Sequence, residues 1–484
     1  MIAEAKPDED AIIQENIDGD VRKISWRSFE ETTNRLAWML KEKGVGTGDT
    51  VLVTFPNSIE HALANFAIWK TGACYMPISP KTRPEELLQL KKLISPKAAF
   101  SNLEGLSIGI RWKSGDLPQT CAGYSCDPLP DILSNPNIIT ASGGTTGKPK
   151  LIRQNIPAGH TDGSLAAWLA VSGMRMGQRQ LLAGPMYHGA PHATVLNCLF
   201  SGGTLVVPAT MCPAALVDCI RRYHIQFTQM VPTLMYRILK LPDLKKEDFS
   251  SLEALCHTGG VCAAWLKRAW MDLLGPEKLY ELYSMSEVIG LCAIRGDEWI
   301  RHPGSVGKAK FGSTISIRDE EGRVLPPYEI GEIYMSPPAN LQYTEYINAE
   351  PLKTLDGTFR SVGDMGYVDE EGYLYFSDRR CDMIVTGGEN VFAAEVEGAL
   401  LRNGHVLDAA VVGIPDPEWG RRVHAILETD GKVTAKELKE FLIPYLEPYK
   451  IPKTYQFVRR LKRTANGKIA RAELLRECIE KEKQ

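Results

Sequence analysis

The 484-residue sequence predicts an α/β protein: a large, multi-subdomain α/β N-terminal domain followed by a small α+β C-terminal domain. Three observations predict it. Short β-rich runs alternate with amphipathic stretches through the first half, which argues for layered α/β architecture. A polar, turn-rich passage at 320–335, EEGRVLPPYEIGEIYM, then switches the chain toward β structure with Gly and Pro turns. Beyond about Arg379 a compact series of helical and strand-like segments begins, long enough at about a hundred residues for a separate domain.

In chain order, TVLVTF (50–55) reads as a buried strand. Asn57 and Ser58 offer helix caps, and IEHALANFAIWK (59–70) has apolar residues at helical spacing. CYMPI (74–78) is the next strand, and LLAGPMYH (181–188) and GTLVVP (203–208) continue the rhythm, each followed by helix-like sequence. In the C-terminal region AAEVEGALLRN, AKELKEFLIPYL and ARAELLRECIEKEK read as helices. LDAAVVGI, VHAILE and TYQFVRR read as strands. The pattern places the domain boundary at 378–382.

Bulk properties exclude several classes. Length gives a prior of about three domains, and 44% hydrophobic with 24% charged residues is the composition of a soluble globular enzyme. A net charge of -3 gives no global reason to bind nucleic acid or an anionic membrane. The first residues, MIAEAKPDED, carry no targeting pattern, and no apolar run is long enough to span a bilayer; the expected location is the cytoplasm. Eleven cysteines without a C-x-x-C pair fit neither a disulfide framework nor a zinc site, and read as buried reduced thiols.

The strongest chemical signal is SGGTTGKPK (142–150), which follows the apolar NIITA and so leaves the end of a strand. Glycines let backbone N–H groups approach an anion, Thr145 and Thr146 add hydroxyl donors, and Lys148 and Lys150 add charge. The spacing is not that of a Walker A loop: Gly143 stands one residue too close to Gly147-Lys148, and Pro149 takes the hydroxyl position. Taken alone, the segment has a less favoured alternative reading as a Gly- and Lys-rich surface turn.

Together with five further segments in the same order, this loop resembles the phosphate-binding loop of the adenylate-forming ligases, which include acyl- and aryl-CoA synthetases, peptide-synthetase adenylation domains and luciferases. The resemblance runs from about Ile24 to Leu475 and is nearest to the AMP-forming acyl- or aryl-CoA ligases. It implies that Ser142, Gly143, Gly144, Thr146, Gly147 and Lys150 cradle ATP phosphates, with Thr145 acting in catalysis. LYSMSEVIG (282–290) resembles the aromatic-x-x-Thr-Glu motif. There Tyr283 would stack on adenine with Ser284 beside it, Ser286 would contact the α-phosphate, and Glu287 would hold magnesium, a hard cation suited to carboxylate and phosphate oxygens. Read alone, that segment is a helix cap.

In FRSVGDMGYVDEEGYLYFSDRR (359–380), Asp364 matches the aspartate that takes the ribose hydroxyls and Arg379 the arginine ending the large domain. Residues 379–382 would then be a hinge between a large domain, 1–378, and a small mobile domain, 383–484. Cys381 stands where the family usually has Asp or Lys. Gly387, Gly388 and Glu389 match the loop that lines the pantetheine channel during thioester formation. In RTANGKIAR (463–471), Lys468 matches the mobile lysine that meets charge on the α-phosphate.

PMYHGAPH (185–192) places His188 near the path of the incoming carboxylate, while His192 has no assignment. The Phe-Asp pair that accepts an α-amine in peptide synthetases is missing. Gly259 and Gly260 in LCHTGGV (255–261) would let acid and adenosine approach the backbone, and apolar Met285, Val288 and Ile289 suit an aryl, cyclic or medium- to long-chain acid. The implied partners are a carboxylic acid, ATP with Mg2+, and coenzyme A. A homodimer and a carrier protein in trans fit the same reading, as does an amine acceptor. A non-catalytic relative is the opposing class; Thr145, Glu287, Asp364 and Lys468 together speak against it, since binding alone needs neither the magnesium carboxylate nor the lysine.

Overall fold

A computed structural model describes residues 2–104, 106, 108–142, 150–160, 164–337, 344–379, 382–464 and 468–482, without the side chains of Ser142, Asp378, Arg379 and Glu482. Among the described residues, three sheets build the large domain. The first has nine strands; its centre, from Leu279–Ser284 through Ala254–His257, Phe227–Met230, Arg179–Leu182 and Thr204–Val207 to Asp10–Glu15, is parallel. The second has seven, with Lys150–Gln154, Ile138–Ser142, Cys74–Pro77 and Thr50–Val53 adjacent in that order. The third, six-stranded and antiparallel, is the β-rich region expected from the turn-rich passage, and includes Gly331–Ser336, Asp364–Val368 and Leu374–Arg379.

Helices Trp26–Glu42, Ile59–Lys70 and Gly189–Phe200 lie between the first two sheets. One buried cluster takes Ile12, Leu205 and Val207 from the first sheet, Val51, Val53 and Tyr75 from the second, and Leu36, Ile68 and Leu199 from the helices. The Ile59–Lys70 helix has the bounds its periodicity implies, and all but Phe66 and Lys70 of its residues are buried. Only Ser58 caps it, accepting from the His61 N–H at 3.1 Å. Asn57, expected as a second cap, instead donates to Gly184 O (2.9 Å) and accepts from Met186 N (2.8 Å). That bridge ties this helix start to the segment carrying His188.

The small C-terminal domain has its own core. A hairpin, Met383–Thr386 with Glu389–Phe392, precedes the helix Ala393–Leu400. A three-stranded sheet follows, of Val406–Asp416, Gly420–Thr429 and Thr454–Val458, with helices Ala435–Leu442 and Arg471–Glu482. Leu438 and Leu442 face inward at full burial, each contributing about 2 kcal/mol relative to exposure. The Ala435–Leu442 helix is shorter than its apolar pattern suggests because Pro444 follows, and the residue before a proline is disfavoured in the helical region.

Candidate active site

Parallel strands leave their polar backbone ends on one side of a sheet, and the loops there are where α/β proteins bind ligands. Two such ends carry sequence-expected residues: Ala254–His257 runs into Thr258, Gly259 and Gly260, and Leu279–Ser284 runs into Met285–Gly290. Glycine is required at 259, where φ is +81° and an added Cβ would stand 3.4 Å from Val231 Cγ1. Gly260 has an ordinary φ, with Pro232 Cδ 3.8 Å from an added Cβ. Thr258 joins the two ends, its hydroxyl donating to Leu282 O at 2.7 Å.

The 282–290 segment is no helix cap. It is the connection of an antiparallel hairpin in which Ser284 pairs with Leu291. Ser284, expected near the nucleotide, uses its hydroxyl to close this turn on Gly290 O at 3.0 Å. Val288, next to Glu287, sits at φ +51°, a conformation that costs a β-branched residue on the order of 1–3 kcal/mol and persists where surroundings enforce it. The enforcement comes from the second sheet. Tyr346 OH donates to Glu287 Oε1 at 2.6 Å, and Gln154 Nε2 donates to Ser286 O at 2.9 Å.

Gln154 lies on Lys150–Gln154, the strand that follows the glycine-rich segment, and Ser142 pairs with Lys150 across the preceding strand. Gly143, Gly144, Thr145, Thr146, Gly147 and Lys148 lie outside the described residues, as does the Ser142 side chain. Half-buried Lys150 places Nζ 5.0 Å from the centre of the Tyr346 ring.

On the other side of the hairpin, Tyr283 OH donates to Asp364 Oδ2 at 2.7 Å. Asp364 is 4% exposed and begins its strand directly after Gly363, whose φ is +84°. The Tyr283 ring meets Phe376 at 5.7 Å, tilted by 41°. A ribose bound by Asp364 would take Oδ2 from the phenol or bond at the other oxygen. Asp364 pairs in register with Arg379, whose side chain lies outside the described set along with Cys381.

His188 is half-buried immediately before the Gly189–Phe200 helix, its ring 4.5 Å from that of Tyr187. His192 is a core residue. It stacks on Tyr75 at 5.2 Å, its Nε2 lies 2.9 Å from the Asn65 amide nitrogen, and burial holds its pKa down to about 3. An amide donor needs the neutral ring as acceptor, which agrees with that direction.

In the small domain, Gly387 and Gly388 form a two-residue hairpin turn at φ +58° and +87°, a geometry that glycine satisfies without strain. Gly387 N donates to Trp419 O at 2.9 Å, and an added Cβ there would lie 2.8 Å from the Trp419 ring. Gly388 and Glu389 are exposed. Lys468 is also exposed, and its carbonyl accepts from Thr464 N (2.8 Å) and Thr464 Oγ1 (3.2 Å).

No group of three or more His, Cys, Asp or Glu side chains among the described residues could hold a metal by itself. Glu287 is one carboxylate with one oxygen bonded to a phenol, a donor set that suits magnesium arriving with phosphates, since that ion keeps several waters and takes one or two protein carboxylates. Sequence reasoning named Val288 but missed its positive φ, and missed Tyr346 and Gln154 altogether. Their partners lie in another sheet, and no local pattern marks them.

A family model described as AMP-binding enzyme matches residues 2–342, and one described as AMP-binding enzyme C-terminal domain matches residues 395–468. The 2-succinylbenzoate–CoA ligase of Bacillus licheniformis is 30% identical, over 98% of this chain and 98% of its own. A feruloyl-CoA synthase of an Amycolatopsis species is 29% identical over 94% of each chain. The o-succinylbenzoate CoA synthetase of Bacillus subtilis, solved with its acyl-adenylate intermediate, superposes with a TM-score of 0.83 at 26% identity, covering 98% of this chain and 96% of that one. The same enzyme solved with ATP and magnesium gives 0.82 at 26% identity, covering 98% of each.

Proposed function

The chain belongs to the AMP-binding enzyme family, and we propose that it is an AMP-forming ligase joining a hydrophobic carboxylic acid to coenzyme A. The observation that carries this reading is the Glu287 turn, held from the strand after the glycine-rich segment on one side and flanked by the Tyr283–Asp364 pair on the other.

In the first half-reaction the acid's carboxylate oxygen bonds to the α-phosphorus of ATP, and pyrophosphate leaves with the electrons of the broken P–O bond. With MgATP bound, residues 142–150 would cradle the phosphates, Ser286 would face the α-phosphate, Glu287 would hold magnesium, which supplies charge screening between phosphates and carboxylate, and Tyr283 and Asp364 would hold the nucleoside. Lys468 meets the charge that accumulates on the α-phosphate. A cation about 4 Å away at an effective dielectric of about 20 is worth about 4 kcal/mol, about three decades in rate. In the second half-reaction the thiol sulfur bonds to the acyl carbon, AMP leaves with the C–O electrons, and the thiol proton goes to solvent. Gly387, Gly388 and Glu389 line the thiol's approach, and 379–382 is the hinge that exchanges them with Lys468.

The acid enters past His188 toward Gly259 and Gly260. The missing amine-binding Asp and the apolar, part-exposed Val288 support a hydrophobic acid over an amino acid, whereas Ile289, expected beside it, is buried in the core with Ile317 and Met335; the relatives named for aryl acids support the same class. A cytosolic location belongs to this reading, since the cysteines among the described residues are all free, as a reducing compartment keeps them.

The test is acid-dependent pyrophosphate release across aryl, cyclic, fatty and amino acids, repeated with CoA, pantetheine and simple amines as acceptors. Release with hydrophobic acids, and AMP formation stimulated most by CoA, is the expected result. Turnover with a proteinogenic amino acid and none with hydrophobic acids would overturn the acid assignment; stimulation by an amine alone would overturn the acceptor.

A further inference from the structure

Asp408 lies on the long strand Val406–Asp416, at a register shift in its pairing with Gly420–Thr429. A bulge re-aims side chains, and here it accompanies a carboxylate whose side chain is 5% exposed, at a point where two arginines converge. Arg463 binds it through two contacts, Nε to Oδ2 at 2.9 Å and Nη2 to Oδ1 at 2.5 Å. Arg237 of the large domain reaches the same Oδ2 from Nη2 at 3.5 Å.

The two arginines lead to different places. Arg463 bridges to Ile469 and precedes Thr464, which holds the Lys468 carbonyl; it is the base of the turn that presents Lys468. Arg237 lies on the helix Pro232–Leu239, whose Tyr236 hydroxyl donates to Val406 O. The residue at its N-cap, Val231, stands against Gly259. A third contact, Trp265 Nε1 to Gly398 O at 3.1 Å, completes the seam between the domains.

We propose that Asp408 is a positioning residue that couples docking of the small domain to the placement of Lys468. While the domains meet along this seam, Oδ2 is shared between Arg237 and Arg463. When the small domain turns away, Arg237 is withdrawn and the carboxylate serves the Lys468 turn alone. The proposal rests on the two-step reading above, because it makes Arg237, which touches no substrate, alter one half-reaction relative to the other.

The test uses the full chain with Arg237→Gln, Arg237→Lys and Asp408→Asn. Arg237 is half-exposed, so its variants are expected to fold as the parent does; Asp408→Asn removes the charge facing both arginines but keeps one acceptor oxygen, and should shift the ratio in the same direction as Arg237→Gln. Two rates are measured, acid-dependent pyrophosphate exchange and thioester formation from pre-made acyl-AMP with CoA, together with hydrogen exchange of the 406–409 amides in the protein alone. Arg237→Gln should change the ratio of the two rates by roughly two- to fivefold, the scale of a partly exposed ion pair. It should also speed exchange at 406–409, with Arg237→Lys restoring most of both. An unchanged ratio, or unchanged exchange at 406–409, overturns the proposal. Failure of every acid to support exchange in the parent would sink the ligase reading instead, and the amide measurement would still decide the docking role.

Discussion

The Tyr346 phenol, on an edge strand of the second sheet, donates at 2.6 Å to Glu287 on a hairpin turn of the first. One hydrogen bond thus fixes a carboxylate of one layer by a side chain of another, beside a backbone held at positive φ. Tyr346→Phe keeps the ring under Lys150 and removes only this donor. A hydrogen bond to a charged group is worth about 1.5–3 kcal/mol, so adenylation should slow by at least roughly tenfold. The loss should be partly recovered at high magnesium, while KM for the acid stays within about twofold. Steady-state kinetics at varied magnesium checks this; an unchanged magnesium dependence would show that the bond serves the fold alone.

Lys468→Ala should slow acyl-AMP formation by about three decades and leave thioester formation from pre-made acyl-AMP largely intact. Single-turnover measurements of the two steps separate them. Equal loss in both would contradict alternation of the small domain about 379–382.

Gly388 has open space where a Cβ would go, yet its φ of +87° disfavours an ordinary side chain. Gly388→Leu therefore combines obstruction with strain of about 1–2 kcal/mol, and Gly388→Asn, which tolerates such backbone, supplies the control. Both should slow thioester formation more than adenylation, and only Leu should lower the melting temperature. If Asn leaves the thioester step untouched while Leu slows both steps alike, the thiol does not pass over this turn.

His61 and His192 predict acid lability. Burial lowers the His61 pKa to about 4, with the carbonyls of Phe55 and Pro56 opposing the shift. Burial, with His61 nearby, lowers that of His192 to about 3. Both are neutral in the fold at pH 5, whereas unfolded imidazoles titrate near 6.5. The unfolded chain binds more protons below about pH 6.5, so stability present above that pH is lost as pH falls toward 4 and then 3, on the order of 3 kcal/mol for each ring. Urea titrations from pH 7 to 4 measure the slope. Burial lowers His257 and His424 as well, so His192→Gln should flatten the slope by about a quarter at most; an unchanged slope would place the lability in other groups.

Local pattern carried much of the architecture. Ile59–Lys70 is the helix its 3.6-residue period describes, and the helix and strand segments read after Arg379 fold in that order. Periodicity and turn residues report on neighbours along the chain, and these elements depend on little else. The helix cap read at 282–290 became a hairpin turn because Leu291–Arg295 pairs back antiparallel to Leu279–Ser284, a decision made by strand pairing rather than by the turn's residues.

By itself the sequence determined the layered α/β class, the β-rich passage before a small α+β domain, and a run of motifs whose types and order resemble a ligase family. Tertiary structure alone decided that Asn57 bridges a distant loop instead of capping a helix, that His192 is buried against Tyr75, that Tyr346 holds Glu287, and that Asp408 lies between Arg237 and Arg463. The physical reason is separation along the chain: each partner lies 55 or more residues away. A hydrogen bond between such residues follows from how sheets and helices stack, and it leaves no periodic trace in either segment.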